Sequence, residues 1–408
     1  MRFPEFSGEW ESIHLGEISD VTKLAGFEFT EYVRYEDEGE IIALRGLNCK
    51  NGSLDLNDVK YIDNSVLEKL IRSKLCIGDI LFTYVGTVGE VAIIEENDRF
   101  YLAPNVSRIR LRDKYNPYFI KHQLYNKRFY NKVVFPLIAT SSQPALSMEN
   151  VRRFKLNIPT IPEQDKIAKF LNLLDLRIST QRKIIEDLKK LKAAIAEKLF
   201  CGPYDEAPEL RVANSSASWN LYRLKDVCQR ISERNSQESS SLVLTIAAQY
   251  GLVSQTDFFN KSVASENLSN YYLIQKGDFA YNKSYSGEYP WGAVKRLELY
   301  ETGVLSPLYI CFKPNPLIVD SDFLSHYFET HKWHNGIAQI AGEGARNHGL
   351  LNVSISDYFA TLHRLPGLPE QKKIASYLNL LSDIISLANK ELKCYSRQKQ
   401  YLLARMFI

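Results

Sequence analysis

From Glu163 to Leu199 the chain runs for 37 residues without a Gly or a Pro, and its apolar residues recur at spacings of three and four. That spacing places them on one face of a helix. In heptad register Leu171, Ile178, Ile185, Lys192 and Leu199 fall at a, and Ile167, Leu174, Gln181, Leu188 and Ile195 at d, so eight of ten seam positions are apolar. Thr160, three residues ahead of Glu163, offers a capping box, and Pro162 suits a first helical turn. A second stretch has Leu378, Ile385, Leu392, Lys399 and Met406 at a, with Ile374, Leu381, Ala388, Tyr395 and Leu402 at d, nine of ten apolar. Such a stripe is ordinarily the buried face of a helix packed on its own domain. At ~1.5 Å per residue, however, each helix is ~55 Å long, more than a ~160-residue globule needs, so the two seams are best buried against each other. The first helix leads from one globule to the next and the second leaves that next globule, so a coil bridging both is antiparallel. Lys192 and Lys399 hold equivalent a positions. Polar a residues trade stability for register, so leucines there are expected to stabilise the coil.

The two stretches are copies. Residues 161–174 and 368–381 are identical at ten of fourteen positions at an offset of 207, and the offset persists to Lys198-Leu199-Phe200 against Arg405-Met406-Phe407. Fainter echoes precede each copy: Arg2 to Trp10 with Arg211 to Trp219, Leu15-Gly16-Glu17-Ile18 with Leu224-Lys225-Asp226-Val227, and Gly78-Asp79 with Gly277-Asp278. The order is globule, helix, globule, helix, with Cys201-Gly202-Pro203 and the polar run Asn214 to Ser218 between the halves. The repeat also puts Met1 and Ile408 at equivalent junctions, so they are expected to lie close together.

Composition narrows the class. With 408 residues, 45% hydrophobic and 24% charged, the chain is an ordinary globular sequence of two or three packed units. No stretch approaches the ~20 apolar residues of a membrane span, so a soluble, cytoplasmic protein with no membrane partner is expected. The six cysteines stand at least 27 residues apart, a spacing that suits neither a zinc knuckle nor a disulfide framework. The net charge of +3 conceals an asymmetry: residues 1–98 carry 9 Lys/Arg against 20 Asp/Glu, whereas residues 99–162 carry 12 against 2. That second segment suits phosphate.

The twice-used Pro-Glu-Gln followed by Lys-Ile-Ala, at Pro162-Glu163-Gln164 with Lys166-Ile167-Ala168 and at Pro369-Glu370-Gln371 with Lys373-Ile374-Ala375, resembles the specificity subunits of type I restriction-modification enzymes. Gly277 to Ser286 and Glu343 to Gly349 also resemble segments of that family's recognition domains, and the first domain has no recognisable counterpart of either. The resemblance implies two α/β target-recognition domains, residues 1–160 and 207–367, with helical spacers at 161–200 and 368–408 and a linker at 201–206. It implies a subunit that reads a bipartite, asymmetric site on double-stranded DNA, binds two modification (methyltransferase) subunits and restriction (motor-nuclease) subunits, and has no catalytic residue, metal or cofactor of its own. The sequence agrees by omission. Asn315-Pro316-Leu317 lacks the second Pro and the aromatic of an adenine methyltransferase motif, and no Gly-Lys dipeptide offers a phosphate-cradling loop. Two alternatives share the architecture: a coiled-coil scaffold joining two protein-binding domains, and a specificity subunit of another restriction-modification type.

Candidate contacts to DNA follow from donor chemistry. Arg108, Arg110 and Lys114 lie in the basic segment; Ser141, Ser142 and Gln143 join a hydroxyl pair to an amide able to read adenine. Asn282, Lys283, Ser284, Tyr285, Tyr289 and Trp291 interleave donors, a base and aromatics, and Arg346, Asn347 and His348 stand between Gly344 and Gly349. Thr83, Tyr84 and Thr87 surround Gly86 and Gly89. For each there is a plainer reading as a polar turn, a strand end or a core aromatic. His331 and His334, with His326 nearby, have no cysteine or second cluster close by and read as solvated helix residues rather than metal ligands.

Overall fold

The computed structural model describes the chain except residues 140–142, 213–217, 248–250, 260–266, 288, 342–348 and 408, and the side chain of 259. The chain is mixed α/β and forms two compact units, Met1–Arg182 with Lys390–Ile408, and Lys183–Asn389. Two helices of 39 residues each, Ile161–Leu199 and Leu368–Met406, carry the heptad stretches, and the division between the units falls inside both of them.

Each unit is built on a four-stranded antiparallel sheet of the same order. In the first unit the strands run Ser19–Lys23, Val106–Leu111, Ile80–Thr83, Val91–Ile93. In the second they run Cys228–Arg230, Ile310–Pro314, Phe279–Asn282, Ala293–Arg296. Of the remaining strand pairs, Ile42–Leu44 with Phe100–Leu102 is parallel. The faint sequence echoes are local geometry: Leu15–Ile18 and Leu224–Val227 are short helices with both end residues buried, and Gly78 and Gly277 take φ of 87° and 94° at equivalent turns. In those turns Asp79 accepts from the Cys76 amide and Asp278 from the Gln275 amide, each at 2.7 Å. Glycine is required because an L side chain seldom adopts that φ.

The repeated Gln is a clamp. In the first unit Gln164 accepts from the Asn116 amide (3.0 Å) and donates to the Pro159 carbonyl (2.9 Å), tying the long helix to the start of the helix Pro117–Leu124. In the second Gln371 accepts from the Asp320 amide (2.8 Å) and donates to the Pro366 carbonyl (2.8 Å), ahead of the helix Ser321–Tyr327. Asn116 and Asp320 cap those helices through their own side chains. One and two turns further on, His122 meets Asn172 and His326 meets Asn379, both at 2.8 Å. The Glu of the motif is used differently: Glu163 takes a bidentate pair from Arg2 at 2.7 Å, while Glu370 accepts from the Trp219 indole at 3.4 Å.

Within the first unit the long helices run in opposite directions. Asp175 pairs with Lys399, Arg177 donates to the Tyr395 hydroxyl (2.7 Å) and Gln181 to Glu391 (3.1 Å). Ile167, Leu171, Leu174, Ile178, Leu402 and Met406 are buried there, with Leu392 and Tyr395 half-buried. In the second unit Leu199, Ile374 and Leu378 are buried in one core, beside half-buried Ile195 and Leu381; Ile185 is also buried, and Leu188 and Ile385 are half-buried. The apolar residues off the seam, among them Leu173, Leu176, Leu380 and Leu387, are exposed. The amino group of Met1 donates to the Arg405 carbonyl, and Phe407 packs on Trp10; Ile408 lies outside the described residues. Among the described residues, no helix is long and apolar enough to cross a membrane.

Candidate nucleic-acid interface

The hairpin at one edge of each four-stranded sheet ends in a glycine-turned loop, Tyr84–Glu90 in the first unit and Lys283–Gly292 in the second. Gly89 (φ 98°) lies under the Tyr130 ring, which a Cβ would strike; at Gly292 (φ 79°) a Cβ would collide with the Asn282 carbonyl oxygen. Each loop is laced to the segment ahead of a short helix. In the first unit Leu146 N donates to Tyr84 O (2.8 Å) and Gly86 N to Pro144 O (3.0 Å), just before Ser147 caps Met148–Arg152. In the second Leu351 N donates to Lys283 O (2.9 Å) and Tyr285 N to Gly349 O (3.2 Å), just before Ser354 caps Ile355–Ala360. The first domain therefore does have a topological counterpart of the hairpin segment singled out in the second; of Glu343 to Gly349 only Gly349 is among the described residues. Sequence comparison misses it because backbone pairing and glycine turns, not side chains, carry the equivalence.

This geometry sorts the candidate residues. Thr87 is exposed on the first loop, with Gln143 beside it; Ser141 and Ser142 lie outside the described residues. Thr83 is buried, its hydroxyl donating to Thr87 O (2.5 Å) and accepting from Glu90 N (2.9 Å). Tyr84 is buried by its neighbours. These two side chains build the loop and are not available to a ligand. Arg108 is only 5% exposed and is held by Asp20 (2.6 Å) and the Arg72 carbonyl (2.9 Å). Arg110 forks onto Asp79 at 2.6 and 2.7 Å. Both arginines are paired with carboxylates of the same unit, Arg108 in a buried position and Arg110 with its side chain 41% exposed. Lys114 is exposed, but it follows the Leu111 end of its strand, whereas the loop is at the Val106 end, ~17 Å away over six residues.

On the second loop Ser284 is exposed, and Lys283, Tyr285 and Tyr289 are half-buried. Asn282 accepts from the Ser284 amide (3.0 Å) and stabilises the turn. Trp291 packs on the core while its carbonyl accepts from the Tyr281 hydroxyl (3.0 Å). Arg346, Asn347 and His348 lie outside the described residues. Lys23, not singled out in the sequence, is exposed and sits 5.2 Å over the Tyr84 ring beside the first loop. Its position depends on the antiparallel pairing of Lys23 with Ser107, which no local motif announces.

Each unit also sets a lysine of a long helix against a carboxylate, more deeply in the first unit than in the second. Asp175, on the first long helix, is paired with Lys121 (2.9 Å) and Lys399, whose side chains are 6% and 8% exposed. Burial pushes Lys399 below its usual range, although Asp175 opposes this. In the second unit Glu329 takes Lys192 at 2.9 Å; burial would raise the carboxyl, but the His326 hydrogen bond and Lys192 outweigh it and bring it to about 2. Lys399 therefore answers a half-buried carboxylate, and Lys192, itself half-buried, an exposed one. Replacing Lys399 by leucine removes one of the two cations on Asp175, a cost that opposes the stabilisation expected from an apolar a position. His331 pairs with Glu197 at 2.7 Å, and among the described residues no group of His, Cys, Asp and Glu could hold a metal ion. Burial pushes the thiols of Cys49, Cys228 and Cys311 up to about 12.

Two units of mixed α/β, each with a four-stranded sheet of the same order, and two 39-residue helices divided between them make a fold seen in solved type I restriction-modification S subunits. The chain matches in full 99% of the S subunit from M. genitalium (TM-score 0.55, 15% identity). It also matches, over 99% of its length, 98% of a chain from a structure of type I R-M system assembly and conformational transition (TM-score 0.58, 15% identity). Residues 7–190 match the family model of the type I restriction modification DNA specificity domain. The putative type I restriction enzyme MjaX specificity subunit of Methanocaldococcus jannaschii is 29% identical over 203 residues, 48% of this chain and 46% of that one. The type I restriction enzyme EcoBI specificity subunit of Escherichia coli is 24% identical over 191 residues, 45% of this chain and 40% of that one. The chain thus spans less than half the length of the curated relatives it matches. These similarities lie with the same family that the repeated motif resembles.

Proposed function

We propose that this chain is the DNA-reading subunit of a type I restriction-modification complex. Each unit contributes one reader, built where its glycine-turned hairpin loop is laced to the segment ahead of a short helix. The observation that carries this reading is that the same composite occurs once per unit, on sheets of the same order but with different side chains. Thr87, Gln143 and Lys23 stand at the first composite, with Ser141 and Ser142 in the adjoining stretch; Lys283, Ser284 and Tyr285 stand at the second, with Arg346, Asn347 and His348 adjoining. Two unlike readers on one chain call for a bipartite, asymmetric site.

The two long helices act as an antiparallel coiled coil that spaces the readers. At ~1.5 Å per residue and ~3.4 Å per base-pair step, a ~55 Å coil bounds their separation at about 16 base pairs. The chain supplies no chemistry: methyl transfer comes from two modification subunits and cleavage from restriction subunits assembled on it. Sequencing methylated sites tests both parts. Exchanging residues 207–367 for another recognition domain is expected to change one half of the site only. Deleting one heptad from either helix removes ~10.5 Å, close to three base-pair steps, and is expected to change only the gap. A domain exchange that alters both halves, or a heptad deletion that leaves the gap unchanged in an assembled complex, overturns the reading.

A further inference from the structure

Of the twelve cations in residues 99–162, the structure places Arg99, Arg108, Arg110, Lys121 and Arg153 in ion pairs with Glu96, Asp20, Asp79, Asp175 and Glu149. Lys127, Arg128 and Lys132 are exposed and take part in no ion pair among the described residues. They fall on one short arm, residues 127–137, that is held rigidly. Asn126 donates to the Leu403 carbonyl (2.7 Å) and caps the arm by accepting from the Arg128 amide (2.8 Å). Phe129 packs edge-on against Phe154 at 5.6 Å, and Tyr130 covers Gly89 of the hairpin loop. The stretch Tyr130–Val134 is a π-helical turn, a costly geometry found mostly where it serves a function. Phe135, 63% exposed, follows directly. An aromatic left in water beside three unpaired cations, next to a loop assigned to reading DNA, is the mixture that binds a nucleic-acid backbone and groove.

The corresponding stretch of the second unit, after the helix Ser321–Tyr327, is neutralised. His331 pairs with Glu197, Lys332 lies 3.9 Å from Asp205, and burial keeps His334 neutral by bringing it to about 4. We propose that the arm of residues 127–137 is a DNA-backbone clamp belonging to the first unit alone: Lys127, Arg128 and Lys132 each neutralise a phosphate beside the hairpin loop, and Phe135 packs into the groove. The proposal rests on the DNA-reading assignment above and adds that the two half-sites are held with unequal salt dependence.

The test is the salt dependence of binding to the methylated-site sequence, measured on the complex with its methyltransferase partner. At ~0.9 per phosphate, K127A/R128A/K132A is expected to reduce the log–log slope by about 2.7, so that between 50 and 200 mM salt the wild type loses ~40-fold more affinity than the variant. A charge-matched control, K183A/K189A/K225A, is expected to keep the wild-type slope. F135A is expected to weaken binding about tenfold with the slope unchanged. If the wild-type complex prefers its site but the triple variant keeps the slope of the control, the clamp is overturned while the reading function stands. If the wild-type complex shows no sequence preference, the reading function itself fails. Unfolding of each variant at the wild-type temperature confirms that the comparison concerns binding.

Discussion

Gln164 and Gln371 make the same three-way connection in the two units, whereas the stretches that follow, residues 127–137 and 331–341, differ in charge: one leaves its cations unpaired, the other pairs or neutralises them. The repeat is therefore kept where it ties helix to globule and lost where it faces solvent. The charge clusters show an intermediate case. Both units set a lysine from an a position against a carboxylate, Lys399 buried and Lys192 half-buried, but the carboxylate comes from the long helix in the first unit, as Asp175, and from the globule in the second, as Glu329. Position along the repeat is preserved, and polarity across the contact is reversed.

The sharpest test of that reversal is to remove each carboxylate. Asp175→Asn leaves two lysines buried without a counter-charge, so unfolding of the first unit is expected to weaken by about 3–5 kcal/mol. Glu329→Gln leaves only Lys192 unpaired, in a pair whose carboxylate is 43% exposed and screened by water, and should cost about 1 kcal/mol or less in the second. Hydrogen exchange on the full chain resolves the units; equal losses would remove the distinction. Acid should separate them next. His122 in the first unit and His363 in the second are buried, and burial brings them to about 3 and about 4. Both lie below the unfolded value of ~6.5, so the stabilisation is complete above that pH and is lost as pH falls towards 4. By pH 5 each contributes a loss of about 2 kcal/mol. His334 adds in the same direction in the second unit only, so that unit should open first on acidification; a first unit that opens earlier contradicts the assignment. The smallest contrast between the units should be nearly symmetric. Gln164→Ala strips one backbone amide and one carbonyl of their partner, and Gln371→Ala one amide and two carbonyls, so losses of about 1–2 kcal/mol, the larger in the second unit, are expected in denaturant unfolding.

The long helices were legible because a heptad period is a one-dimensional signal, and seam residues such as Leu171 and Leu378 are buried as their register requires. Exposed loop residues such as Thr87 and Ser284 were legible from glycine spacing. The partners of Arg108 and Arg110 were not legible, because a run of cations looks the same whether it faces water or answers carboxylates far away in sequence, at Asp20 and Asp79. The partners of Lys192 and Lys399 were hidden for the same reason: the heptad shows the lysine but not Glu329 or Asp175 across from it. The first unit's composite loop was invisible because its equivalence rests on strand order.

The reversed polarity of the two charge clusters limits how genes for such chains can recombine. A foreign first globule must bring a cation at the place of Lys121, because the resident helices already supply Asp175 and Lys399. A foreign second globule must bring an anion at the place of Glu329, because the resident helix supplies only Lys192. Shuffling within one slot preserves the match, while moving a globule from one slot to the other sets lysine against lysine or carboxylate against carboxylate. Under the DNA-reading function proposed above, exchange between like positions is the favoured route to a new specificity, and the order of the two half-sites is passed on with the framework.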